Sequence, residues 1–152
     1  MGDIKLTDNF TLYEYCRTNH VDYWQDNYDL AVANVDKLSK LAQDQEIIRK
    51  RWGVPLINTC GVRCPALNKL VGGSPTSQHL KAEAVDFIMH GIDYNFVMEW
   101  FVKSSGLKYG QVIYETKDKT SWIHYSLGEP YRDAGRCGMA LVFKNGSYEK
   151  YI

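Results

Sequence analysis

The residues that most constrain this fold are His79 and Asp86, both within Ser77-Gln78-His79-Leu80-Lys81-Ala82-Glu83-Ala84-Val85-Asp86, and His124 in Trp122-Ile123-His124. Two imidazoles and one carboxylate make a zinc shell of the catalytic type. Three protein ligands leave a fourth tetrahedral position open, whereas structural zinc sites close with four ligands rich in thiolate. A fold for this chain must bring the three side chains to one point. Ala84-Val85-Asp86-Phe87-Ile88 alternates like a strand, which sends Ala84, Asp86 and Ile88 to one face and Val85, Phe87 and Met89 to the other. The separation of His79 from Asp86 is odd, so a continuous strand would point them apart, and Leu80 to Glu83 must turn. Gly72-Gly73-Ser74-Pro75 supplies a loop ahead of that turn.

A second carboxylate is placed by hairpin geometry. Gln111 to Glu115 and Trp122 to Ser126 are strand-like, and the polar stretch Thr116 to Ser121 reads as the loop between them. Centred on Lys119 and Thr120, this loop sets Glu115 directly opposite His124. Opposed residues of an antiparallel pair share a face with Cβ atoms about 5 Å apart, which makes Glu115 the candidate general base beside an ion held by His124. Tyr114, Trp122 and Tyr125 are expected beside the same cleft.

The rest of the chain supplies a scaffold. Thr11-Leu12-Tyr13-Glu14 is a capping box opening a short helix, and Tyr28 to Trp52 carries one long amphipathic pattern that ends before Gly53. Leu56 to Thr59 reads as a strand, Ala66 to Leu70 as a short helix, and Asp93 to Ser105 as a helix stopped by Gly106. Met139 to Lys144 and Ser147 to Tyr151 form a final hairpin across Asn145-Gly146. Helices first and antiparallel strands later predict an α+β fold, with N-terminal helices packed on a mainly antiparallel sheet.

A chain of 152 residues with 45% apolar content can bury one sizeable core, and no linker or repeat divides it, so residues 1–152 are read as a single domain acting as a monomer. The formal net charge of zero gives no general attraction to nucleic acid or anionic lipid. No window of about 20 apolar residues could span a bilayer and no apolar signal region opens the chain, so a soluble protein is expected. Cys60 and Cys64 lack a second pair at zinc-finger spacing, and Cys16 and Cys137 are isolated, which predicts free thiols. His20 and His90 have no partner pattern and read as surface or packing residues.

Cys60-Gly61-Val62-Arg63-Cys64-Pro65, Leu67-Asn68, Val71 to His79, Ala84-Val85-Asp86 and Trp122-Ile123-His124 occur in one order. In that order they resemble the M15 family of zinc D-Ala-D-Ala carboxypeptidases and murein peptidases, in its compact bacterial and phage branch. The resemblance implies a hedgehog and D-Ala-D-Ala peptidase-like fold. It also implies zinc ligands at His79, Asp86 and His124, and Arg63 as contact for a substrate carboxylate. Ser77 belongs to the same motif as a substrate-side residue that supports the loop rather than acting as nucleophile. The implied partners are peptidoglycan stem peptides, reached if the protein is exported or released in a phage or bacterial setting.

The chain departs from the family pattern at three places. Ala82 stands where the motif usually has glycine, which matters if that residue needs positive φ. Ser121 stands where many members carry the catalytic carboxylate. Cysteine occupies positions 60 and 64, where serine is common. Glu115 fits the base better than Asp118, because Tyr114-Glu115 ahead of Ile123-His124 also resembles the zinc site of hedgehog signalling domains. That second likeness keeps an alternative open, a zinc-stabilised binding domain without peptidase turnover.

Overall fold

The computed structural model describes residues 2–151. Helices α1 (Trp24–Val32) and α2 (Val35–Trp52) precede strand β1 (Ile57–Cys60), helix α3 (Pro65–Leu70) and strand β2 (Ala84–Ile88). Helix α4 (Tyr94–Lys103) follows, then β3 (Tyr109–Lys117), β4 (Thr120–Leu127), β5 (Met139–Lys144) and β6 (Ser147–Lys150). The strands form one six-stranded sheet in the order β1-β2-β4-β3-β5-β6. All neighbours are antiparallel except β3 and β5, so the fold is α+β with a mainly antiparallel sheet, as the sequence predicts.

The long amphipathic pattern from Tyr28 to Trp52 is two helices, not one. Asn34 leaves the helical region at φ −132°, and its side-chain amide donates to the Leu30 carbonyl at 2.8 Å, satisfying a carbonyl that the end of α1 strands. The Asn34 carbonyl then accepts from Leu38 N–H and starts α2. Apolar periodicity runs through such a break because both helices bury the same side. Helix α2 stops at Gly53, whose left-handed φ of 70° lets its N–H donate to the Arg49 carbonyl. Asp93 caps α4 by accepting from Asn95 N–H.

Strand alternation divides the sheet into two faces with different work. Val85 and Phe87 of β2, Ile123 and Tyr125 of β4, and Val112 of β3 are fully buried against Leu38, Leu41 and Ile48 of α2 and Val97, Met98 and Phe101 of α4. Each such aliphatic or aromatic side chain contributes about 1.5–3 kcal/mol by leaving water. Tyr114 and Tyr125, expected beside the cleft, belong to this covered face. Tyr114 packs edge-on against Tyr94, and Tyr125 stacks on Phe101. The Tyr125 hydroxyl donates to Asp44 at 2.7 Å, and Lys40 pairs with the same carboxylate, which ties α2 to the strand carrying His124. No helix among the described residues is long and apolar enough to cross a membrane.

Candidate active site

The opposite face of the sheet carries the chemistry. Asp86 on β2 and His124 on β4 are direct cross-strand partners, and His124 Nδ1 lies 2.9 Å from Asp86 Oδ1. His79 reaches the same oxygen from outside the sheet, its Nε2 at 3.3 Å. It sits in a 3-10 turn, Gln78–Lys81, whose first residues are fixed by Ser77: the Ser77 hydroxyl accepts from His79 N–H. The turn closes at Ala82, which adopts φ 57° and ψ 35° and is fully buried. Glycine's usual place in the motif is therefore a left-handed position, which an L-residue occupies at a cost of about 1–2 kcal/mol. This residue redirects the chain so that His79 and Asp86 can meet despite their odd spacing.

The donor chemistry suits a metal ion. His79 Nδ1 lies 2.7 Å from the Gly61 carbonyl, which can only accept, so Nδ1 keeps a proton and Nε2, which faces Asp86, is the nitrogen whose lone pair a neutral ring can offer to a metal. Gly61 is itself packed against the Tyr15 backbone, where a Cβ would be 2.5 Å from the Tyr15 carbonyl oxygen. Burial opposes the charge on Asp86, but His79 and His124 outweigh it and hold the carboxyl well below the usual range. Burial also opposes protonation of His79, yet Cys60 and Asp86 beside it raise its pKa well above the ordinary value. For His124 burial prevails, and the imidazole is shifted down despite Asp86.

Glu115 joins this cluster, although not by the register the sequence suggests. It faces Trp122, while Ile113 faces His124. The hairpin turns at Asp118-Lys119, with Asp118 at φ 56° and the strands paired out to Lys117 and Thr120. Thr116 and Ser121, read as loop, are opposed strand residues joined through their hydroxyls. The offset from the expected register is two residues, so Glu115 keeps the face of His124 and lies diagonal to it. Ligand atoms of Asp86, Glu115 and His124 fall within 4.8 Å of one another. Burial first, then repulsion from Asp86, raises the Glu115 carboxyl to about 7, with His79 and Arg63 partly offsetting the shift. Asp118, the competing carboxylate, is exposed at the hairpin tip.

Arg63 lies on the loop after β1 and borders the same cleft, a cavity of about 620 Å³ that also takes in Ser77, His79 and Glu115. Its guanidinium donates to Asn68 Oδ1 at 3.0 Å, and its backbone N–H to the His79 carbonyl. Gly73 permits this: a Cβ there would be 2.9 Å from Arg63 Nη1 and closer still to Asn68. A larger cavity of about 950 Å³ beside Phe101 and Cys137 lies away from these groups.

One neighbour escaped the sequence reading. Cys60 is paired with Asp86 across β1 and β2, with its Sγ 3.7 Å from His79 Nδ1 and 3.6 Å from Arg63 Nη2. Burial alone would push this thiol up, but His79 beside it prevails and shifts it down. A bulge between Asn58 and Cys60 creates the pairing, and no local pattern announces a bulge. All four cysteines are free, as expected.

Two imidazoles around a half-buried carboxylate, with a second carboxyl whose pKa is raised alongside, are a donor set that could hold a metal ion. The family model of peptidase M15 matches residues 8–126, and the chain belongs to that family. A comparison with curated proteins gives no match. Family membership makes the protein a hydrolase of the peptidase class. The matched span holds His79, Asp86, Glu115, His124 and Arg63. The cleft continues past it, onto Arg132, Arg136, Phe143 and Tyr148.

Proposed function

We propose that the protein is a zinc metallopeptidase that hydrolyses peptide bonds of bacterial cell-wall peptidoglycan, as a D-Ala-D-Ala carboxypeptidase or a murein endopeptidase. The observation that carries this reading is the convergence of His79 Nε2 and His124 Nδ1 on one oxygen of Asp86, inside a chain of the peptidase M15 family. His79, Asp86 and His124 are the proposed ligands. Zinc held there would supply Lewis acidity, lowering the pKa of a water molecule and polarising the scissile carbonyl.

The protein's own groups do the rest. The Gly61 carbonyl keeps His79 in the tautomer that ligates through Nε2. Glu115 takes the proton from the attacking water and hands it to the leaving amine. A dication beside Glu115 favours its charged form, so in the occupied site it starts as a carboxylate at neutral pH. Arg63, pre-oriented by Asn68, offers its remaining donors to a substrate carboxylate. Ser77 serves by capping the His79 turn and by bordering the substrate cleft. Stem peptides supply such carboxylates, and a peptidase of this kind meets them once exported or released.

Mass spectrometry of purified peptidoglycan digested by the zinc-loaded protein tests the proposal and identifies the bond. Release of terminal D-Ala marks a carboxypeptidase, and cleaved cross-links or stems mark an endopeptidase. An unchanged digest with zinc bound would leave a binding domain of the same fold.

A further inference from the structure

The charge of the cleft differs from that of the chain. Overall the formal charges cancel, yet Arg63, Lys117, Arg132 and Arg136 all border the cleft, against the carboxylates of Asp86 and Glu115. None of these four cations forms an ion pair within 4 Å among the described residues. Arg63 has a place in the proposed reaction. Arg132 and Arg136 come from the connection between β4 and β5, beyond the family match, and nothing in the reaction uses them.

Arg132 is built into its position. Its aliphatic stem crosses Gly110, where a Cβ would lie 3.1 Å from Arg132 Cδ. Its Nη1 donates to Gln78 Oε1 at 2.7 Å, and Gln78 is in turn anchored through its amide to the Leu127 carbonyl. Its Nε is buried without a hydrogen-bond partner. Arg136 stands close enough to act on it as a like charge. Arg132 and Arg136 thus border the cleft together, with Asp133 the carboxylate that acts on Arg132, and neither guanidinium forms an ion pair within 4 Å among the described residues.

We propose that Arg132 and Arg136 form a second carboxylate-binding position, distinct from Arg63, so that the preferred substrate is a peptide with at least two free carboxylates. This rests on the peptidase reading above and narrows its substrate class. The zinc-loaded protein is given two stem peptides that differ only in one carboxylate remote from the chain terminus, free in one and carboxamide in the other. The wild type should favour the free acid in kcat/KM by about tenfold or more, the scale of a charged hydrogen bond. Arg132→Gln and the exposed Arg136→Gln should each shrink that preference by slowing the acid more than the amide; Arg132→Gln also removes the tie to Gln78 and slows both peptides in part. A residue that merely ties its loop to Gln78 would instead slow both peptides alike.

Calorimetric binding of the same two peptides to Glu115→Gln separates this inference from the peptidase reading. If the zinc-loaded wild type cuts neither peptide, but the acid binds Glu115→Gln more tightly than the amide and loses that advantage when Arg132→Gln is added, the carboxylate position stands and the peptidase reading falls. If acid and amide are bound and cut equally by wild type, or the preference survives both arginine variants, the inference is overturned.

Discussion

Asp86 and His124 face each other across β2 and β4, so the backbone ladder itself sets the 2.9 Å contact between their side chains. A slip of one residue would turn one of them toward the helices, and the buried alternation of Val85, Phe87, Ile123 and Tyr125 forbids that slip. The core therefore fixes two of the three proposed ligands before any ion binds.

About one zinc per chain is expected in the purified protein by elemental analysis, with most of it lost in His79→Ala. Because the ion would bind the folded chain, zinc should also raise the thermal midpoint, and a chelator should lower it. Full occupancy in a double His79→Ala, His124→Ala variant would refute the ligand assignment.

Glu115→Gln preserves shape and removes the proton acceptor. Hydrolysis should fall roughly 100-fold or more while zinc content and melting temperature stay near wild type. Asp118→Asn, at the exposed hairpin tip, should be silent. The reverse pattern would make Asp118 the base.

The raised pKa of His79 gives two opposite pH dependences. In the metal-free protein its protonated form stabilises the fold, an effect fully present below the ordinary value of 6.5 and lost as pH rises through the higher folded value. The depressed Asp86 carboxyl contributes above its ordinary value of 3.8 and ceases to as pH falls through its lower folded value. Zinc requires a neutral imidazole, so binding should release a proton and tighten as pH rises across neutrality. Calorimetry in buffers of different ionisation enthalpy measures that proton. Binding independent of pH between about 6 and about 8, the range that spans ordinary histidine titration, would contradict the ligand role of His79.

Arg63→Lys retains charge and loses the planar fork. The expected loss is on the order of 1–3 kcal/mol in kcat/KM, with zinc content unchanged. Equal kinetics on every cleavable wall peptide would reduce Arg63 to a tie for its loop through Asn68.

The sequence carried the strands and their faces because alternation is local, and Ala84 to Ile88 is a strand within the bounds read from its pattern. It placed Glu115 on the correct face for a related reason: the hairpin register was off by two, and an even error preserves the side of the sheet. It missed the break at Asn34, where one side-chain amide replaces a backbone partner without disturbing the apolar stripe. Cys60 beside Asp86 was illegible, since that pairing depends on a bulge and on a strand distant in the chain. Arg132 and Arg136 were equally hidden. Loop arginines read as solvated charge until folding brings their loop over Gly110 and against Gln78.

The two-faced sheet also bears on how such a protein can change over generations. Along β3, Val112 and Tyr114 point into the helices while Gln111, Ile113 and Glu115 point at the cleft, and β5 adds Phe143 beside them. Heritable variation at the cleft-facing positions thus reaches ligand preference with little effect on the helix-covered core, while the intervening positions stay bound to the packing that sets the register. A lineage built on this plan can acquire new substrates one strand position at a time.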